Sequence, residues 1–240
     1  MAAQTQPDPY ADPKGWRVWA MAQPEAWKLD TLHPDLKDKV VGILADLRDL
    51  GYDAQINYGW RHPETQLSLY QEGHSTPKWS YHNYIDQVPG LGWTAAALAA
   101  DIYLADAEDD ADRAEFYKDL RALAVAAGLG SGANYSDAGG PSGAVARWRL
   151  YGLGWDPPHV EVILSADERA AARERVINEI GALADAQEPI WAVPFDDVRA
   201  PYKVSWLNRK TTLQKIARKV VSTTREAAPA AALVVVIFAA

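Results

Sequence analysis

The sequence predicts an α+β protein, because segments of helical periodicity alternate with short apolar runs of strand length. The clearest helix is predicted for Thr31 to Gly51, where apolar residues recur every three or four positions: Leu36, Val40, Ile43, Leu44 and Leu47. Short strands are predicted at 53–58 and 160–164, the second after two prolines that cannot lie inside a central strand. Together these patterns indicate helices packed around a small sheet.

Further helices are predicted at 63–73, which has polar residues in its early turns and Gly73 at its end, and at 111–127, from apolar spacing ended by Gly128. A closing helix is predicted at 167–186. The segments 85–96 and 128–143 are rich in glycine and interrupted by proline, and they are interpreted as loops. Residues 1–29, with four prolines and three tryptophans, are interpreted as an irregular N-terminal arm. The main domain is therefore expected to span residues 30–186.

Residues 187–240 are predicted to form a helical C-terminal extension. Within it, residues 206–221 have apolar residues on one face and basic residues elsewhere, and residues 227–240 are apolar throughout. As a helix this last stretch would measure about 21 Å, less than the ~30 Å hydrocarbon core of a bilayer. We expect peripheral membrane association at most, with docking on the main domain as the alternative.

Composition and charge limit the classes of function. The 240 residues, 48% of them hydrophobic, suffice for one sizeable core. The net charge of −8, with seven basic and no acidic residues in 203–225, makes the body acidic and argues against nucleic acid as a partner. Residues 1–15 contain no basic start followed by an apolar core, so no secretory signal peptide is predicted. The chain has no cysteine, and any metal must be held by histidines and carboxylates.

A set of histidines and acids supplies such ligands. Asp156 and His159 stand at the start of the last predicted strand, His82 lies upstream, and Asp101 lies in another apolar run. Two histidines, one aspartate and a spare acid are a typical inventory for a zinc hydrolase. Taken singly, the histidine is typical of a packed side chain and the aspartate before Pro-Pro of a turn.

The order of motifs resembles a known family. Arg61, Gln66, Leu69-Tyr70 and Gly73 are followed by Ser80-x-His82, Ala99-x-Asp101 and Asp156-x-x-His159. This order is similar to the zinc D-Ala-D-Ala carboxypeptidases and L-alanyl-D-glutamate peptidases, which include phage endolysins. The resemblance covers roughly residues 30–165, a typical domain length. It implies a small central antiparallel sheet flanked by helices, of the hedgehog and D,D-peptidase type.

The resemblance also implies a role for each matching residue. His82, Asp101 and His159 would bind one Zn²⁺, Asp156 would be the catalytic base, and Arg61 would bind substrate and stabilise the transition state. Gln66 and Ser80 would contact substrate. In the family the metal aspartate follows the first histidine by about seven residues, whereas Asp101 follows His82 by nineteen.

Two of these assignments have alternatives. Asp86, four residues after His82, competes with Asp101 as the metal ligand. Asp101 is preferred because small residues precede it and an apolar run follows it. Arg61 could instead be a surface residue that forms an ion pair with a helix acid such as Glu64.

These expectations lead to a zinc metallopeptidase that cleaves bacterial peptidoglycan, most simply the L-Ala-D-Glu bond, by attack of a zinc-bound water. The alternatives are a D-Ala-D-Ala carboxypeptidase and a catalytically inactive module of the same fold that binds cell wall or membrane. We expect a monomer, located in the host cytoplasm before lysis or at the cell wall.

Overall fold

The computed structural model describes residues 6–75, 77–88, 92–136 and 142–180. Within these ranges the strands are β1 (Ala54–Tyr58), β2 (Ile85–Val88), β3 (Gly92–Ala95), β4 (Ala99–Leu104), β5 (Leu129–Ser131) and β6 (His159–Val162). The α-helices are α1 (Pro13–Met21), α2 (Glu25–Asp30), α3 (Pro34–Asp49), α4 (Pro63–Gln71), α5 (Asp110–Ala126), α6 (Ser142–Arg149) and α7 (Ala166–Arg175). A π-helical segment, Val176–Ile180, continues α7. The predicted α+β class is confirmed.

The main sheet has four antiparallel strands in the order β1-β4-β6-β5. One face packs against α3 and α5, whose apolar sides are buried with residues such as Ile102 and Val160. The predicted apolar stripe of α3 is fully buried in this core. The opposite face carries Asp101 and His159, which are adjacent in the β4–β6 register.

A bulge in β1 changes the direction of the side chain at the end of the strand. Ile56 pairs with Ile102, but Tyr58 pairs with Asp101, so one extra residue lies between these two pairs. Because successive residues of β4 point to opposite faces, Ile56 faces the core and Tyr58 faces the side of Asp101. The bulge therefore directs the turn after β1 toward the polar face of the sheet.

The N-terminal segment differs from its expected irregular conformation, since it forms α1 and α2. Asp12 caps α1 by accepting a hydrogen bond from the Gly15 amide, and Pro13 occupies the first turn. Trp16 and Ala20, four positions apart, are buried, and the Trp16 ring packs edge-on against Trp60. Trp16 is thus part of the core, and Trp19 and Trp27 pack against it while partly exposed.

Two predicted loops also contain regular structure. Strands β2 and β3, within the predicted loop 85–96, pair with each other in antiparallel fashion, and Ile85 and Ala95 are fully buried partners. The segment after α5 forms β5 and a 3₁₀ turn, Gly132–Asn134. Gly128, in the left-handed region with φ of 69°, joins α5 to β5 without a longer connection.

The predicted closing helix 167–186 begins as expected, at Ala166. The predicted C-terminal extension, 187–240, lies outside the described residues. In the described part of the chain, no helix combines the length and apolar character required to cross a bilayer.

Candidate metal centre

Three adjacent strands place the central residues in one row. In the register of the sheet, Tyr58 of β1 is opposite Asp101 of β4, which is opposite His159 of β6. Directly paired residues project from the same face of an antiparallel sheet. The row therefore gathers residues separated by 43 and 58 positions in sequence without relying on a flexible loop.

A tight turn brings Asp156 back onto His159. The His159 amide donates to the Asp156 carbonyl oxygen at 3.1 Å, with Pro157 and Pro158 between them. As a result the Asp156 carboxylate lies 3.9 Å from His159 Nδ1. Gly132 permits this turn to approach, because a Cβ there would lie 2.0 Å from the Asp156 carbonyl oxygen and 2.9 Å from His159 Cβ.

His82 is held by the turn that follows β1. Its Nδ1 donates to the Gly59 carbonyl at 2.7 Å, and its own carbonyl accepts from the Arg61 amide at 2.8 Å. Asn83 adds a bond from its side-chain amide to the Arg61 carbonyl at 2.7 Å. The 59–61 and 82–83 segments are thus fastened together, and His82 Nε2 projects toward the sheet.

The two histidines and Asp101 form a nearly equilateral triangle of donor atoms. His82 Nε2 is 3.2 Å from His159 Nδ1 and 3.2 Å from Asp101 Oδ1, and the last two atoms are 3.3 Å apart. In a tetrahedral zinc site with bonds of about 2.0–2.1 Å, neighbouring ligand atoms are about 3.3–3.4 Å apart. Both histidines are buried and Asp101 is half-buried, and this group could hold a metal ion.

Each imidazole also has a polar contact on the side that faces away from the triangle. Because Nδ1 of His82 is used by the Gly59 carbonyl, Nε2 is left to face the triangle. In His159 the roles are reversed, since Nε2 lies 3.3 Å from Glu161 Oε2 and Nδ1 faces the triangle. Such outer hydrogen bonds are the usual companions of metal-binding histidines.

Burial and mutual attraction shift the pKa values of the three groups in different directions. Burial lowers the pKa of His82, so this imidazole is neutral. Burial also acts to lower the pKa of His159, but hydrogen bonds to Asp101 and Glu161 outweigh it and raise this pKa to about 10. The pKa of Asp101 lies well below its usual value because the charges and hydrogen bonds of both histidines outweigh its burial. The cluster is thus built to surround a positive charge.

Comparison of the chain with protein-family models and with curated protein sequences gives no match. The functional assignment therefore depends on the geometry of this site and on the motif resemblance described above.

Asp156 and Arg61 lie beside the triangle. Burial raises the pKa of Asp156 to about 6, in spite of the opposing charge of His159. The Arg61 guanidinium is 3.4 Å from Asp101 Oδ2 and lies over the Tyr58 ring at 4.8 Å. Its Nε is buried and has no hydrogen-bond partner among the described residues. An acid that titrates near neutrality and a cation with a spare donor are suited to proton transfer and to charge stabilisation.

The remaining predicted residues lie further from the triangle. Gln66 is fully buried, accepts from Arg61 at 2.7 Å, and donates to Ser75 and Pro77. These bonds make it a support for Arg61. Ser80 bonds only locally, its amide donating to the Asn83 side chain at 2.8 Å.

Asp86, the competing metal ligand, lies on β2 and is 3.6 Å from Arg175 of α7. Asp101, and not Asp86, lies with the two histidines in the described part of the chain.

Two neighbours of the triangle were not found from the sequence. Glu161 contacts His159, and the Tyr135 ring lies 5.8 Å from the His159 ring and 5.7 Å from that of Trp155. Glu161 is two residues after His159 on a strand, and this spacing places both on one face. Tyr135 carries no comparable signal, because a turn far along the chain brings it to the site.

Proposed function

We propose that the protein is a zinc-dependent peptidase that hydrolyses a stem-peptide bond of bacterial peptidoglycan, the L-Ala-D-Glu bond in the first instance. The observation that supports it best is the triangle of His82, His159 and Asp101 with Asp156 at its edge. A catalytic zinc site has three protein ligands and one open position, whereas a structural site has four. The motif resemblance supplies the substrate class.

The protein residues have distinct roles in this proposal. A zinc ion in the triangle would polarise the scissile carbonyl and lower the pKa of nearby water toward neutrality. Asp156 takes the proton from the attacking water as the water oxygen bonds to the carbonyl carbon. Asp156 then returns that proton to the amine nitrogen as the carbon–nitrogen bond breaks. A pKa of about 6 leaves this carboxyl mostly ionised at pH 7, while it remains a competent acid.

Arg61 stabilises the negative charge that develops on the carbonyl oxygen. Its guanidinium is held by Gln66 on one side and by Asp101 on the other, and Tyr58 supports its face. A cation fixed in this way needs little reorganisation when the charge appears, which is the basis of electrostatic catalysis.

Metal content is the first test. Two nitrogens and one carboxylate oxygen suit zinc, but the same donor set also binds Fe(II) in oxygenases. The purified chain should contain one zinc per molecule, and the His82→Ala, Asp101→Ala and His159→Ala variants should lose it. Stoichiometric iron in place of zinc would refute the peptidase proposal.

Product analysis is the second test. Purified murein is digested with the zinc-loaded chain, and the new termini are identified by mass spectrometry, with Asp156→Asn as the matched inactive control. New alanine carboxyl and glutamate amino termini support the L-Ala-D-Glu bond. Release of terminal D-Ala supports the carboxypeptidase alternative, and an absence of new termini supports the inactive binding module.

A further inference from the structure

Glu161 occupies a place prepared for a carboxylate beside the metal triangle. It projects from the same face of β6 as His159, and its neighbour on β5 is Gly130. A Cβ on Gly130 would lie 3.0 Å from the Glu161 Cγ, so a larger residue there would press on this side chain. The missing side chain on β5 leaves room for Glu161 to fold back onto His159 Nε2.

Tyr135 lies beside the same histidine, with its ring 5.8 Å from the His159 ring. Against the opposing effect of burial, His159 and Tyr135 together lower the pKa of the Glu161 carboxyl. The Tyr135 backbone is fixed by close approach to Gly154, where a Cβ would lie 2.7 Å from the Tyr135 amide nitrogen. The Gly154 amide in turn donates to the Ala133 carbonyl at 2.6 Å. Backbone packing therefore fixes the position of Tyr135.

We propose that Glu161 and Tyr135 are positioning residues that fix the tautomer of His159, so that Nδ1 and not Nε2 faces the metal. This inference rests on the metal site of the proposed function. A neutral imidazole carries its proton on one nitrogen only, and a carboxylate at Nε2 holds the proton there. The lone pair of Nδ1 is then directed into the triangle, 3.2 Å from His82 Nε2. Tyr135 keeps the carboxylate turned toward the ring.

The inference predicts a graded loss of metal affinity. Outer-shell partners of metal-binding histidines typically contribute about 10- to 100-fold in affinity. Glu161→Ala should lower zinc affinity within this range. Glu161→Gln should lower zinc affinity less, because the amide oxygen still accepts from Nε2–H. The zinc affinity of Tyr135→Phe should also lie between those of the parent and Glu161→Ala. The matched control is Glu115→Gln, which replaces an exposed glutamate on α5 that pairs with Lys118.

Zinc dissociation constants are measured by competition with a chromophoric chelator, and the His159 tautomer by long-range ¹H–¹⁵N correlation spectra of the zinc-loaded chain. The expected result is a proton on Nε2 in the parent and the predicted order of affinities among the variants. Thermal unfolding without metal checks folding, and Glu161→Gln and Tyr135→Phe preserve the test if the alanine variant is unstable.

Unchanged zinc affinity in folded Glu161→Ala, or a proton on Nδ1 of His159 in the zinc-loaded parent, would overturn the inference while leaving the metal site intact. A parent chain that binds no zinc would instead refute the proposed function. The two failures are therefore distinguishable.

Discussion

Replacing Gly132 by alanine tests whether the turn beside the metal centre depends on close backbone contact. The new Cβ would lie 2.0 Å from the Asp156 carbonyl oxygen and 2.9 Å from both the Asp156 carbonyl carbon and His159 Cβ. Cβ contacts under 3.0 Å are essentially never observed, so the backbone at 156–159 must shift. Overpacking typically costs 1–3 kcal/mol, and a collision with backbone should cost about 3 kcal/mol, at the upper end.

This cost converts into a measurable change in melting temperature. For a chain of this size, 1 kcal/mol corresponds to about 2–4 °C, so Gly132→Ala should melt about 6–12 °C below the parent. Zinc affinity should fall as well, because the shift moves His159 away from the other two ligands. Differential scanning calorimetry and chelator competition measure the two effects.

Gly143→Ala is the matched control. Gly143 lies in α6, and a Cβ there meets nothing within 4 Å. Alanine in a helix is favoured over glycine by up to about 1 kcal/mol, so this variant should melt at or above the parent temperature. If Gly132→Ala melts and binds zinc as the parent does, the close approach of the two turns is not required and the reasoning fails.

Two substitutions and one pH dependence test individual side chains. Asp156→Asn should retain zinc but lose about 10²- to 10⁴-fold in kcat, measured on soluble muropeptides, because the amide cannot accept the proton. Arg61→Lys should lower kcat/KM by at least about tenfold with the fold intact, because lysine keeps the charge but cannot bridge Gln66 and Asp101. Burial lowers the pKa of His62 to about 4, below the unfolded value of 6.5. The stabilisation that depends on neutral His62 is therefore complete above pH 6.5 and is lost as the pH falls toward 4. The free energy of unfolding should fall by on the order of 3 kcal/mol over this range, which urea unfolding curves recorded at a series of pH values would measure.

Each of these has a contrary outcome. Undiminished turnover in zinc-loaded Asp156→Asn would show that another group moves the proton, and a lysine variant kinetically equal to the parent would make Arg61 a structural residue. For His62, the comparison is with His62→Asn, which retains an acceptor for the Glu64 amide at the start of α4. An equally steep loss of stability with acid in this variant would assign the dependence to other groups.

Periodic patterns in the sequence were sufficient to predict the helices that line the core. The spacing of the apolar residues in α3 and α5 follows directly from the helical repeat, and both helices lie where the pattern predicts. The N-terminal helices were missed because four prolines lie in or beside them and their apolar residues show little helical periodicity. Here a cap at Asp12 and contacts with Trp60 outweigh weak local preference.

Strands β2 and β3 were also missed, because their segment was predicted to be a loop. Its glycines and proline indicated a loop, but Ile85 of β2 and Ala95 of β3 pair with each other in the core. The β2–β3 pair also explains why His82 and Asp101 are nineteen residues apart in sequence but close in space. The chain runs out along β2 and comes back along β3, so the inserted residues do not separate the two side chains. The Tyr84 carbonyl accepts from the Ala96 amide where the two strands rejoin.

At the candidate site, the sequence predicted which residues have the right chemistry, but not the arrangement of their supports. His82, Asp101 and His159 stand out as donor types in a cysteine-free chain. Glu161 and Gly132 do not, because their importance arises from strand register and from backbone contact between distant segments. Contacts of this kind depend on tertiary structure and leave little trace in local sequence.

Anomalous diffraction at the zinc edge, from crystals of the zinc-loaded chain, tests the central claim most directly. The account predicts one peak at about 2.0–2.2 Å from His82 Nε2, His159 Nδ1 and an oxygen of Asp101. It also predicts that Asp156 lies outside the coordination sphere, with Glu161 still bonded to Nε2 of His159. A peak coordinated by Asp86, or the absence of any peak in this triangle at saturating zinc, would contradict the account.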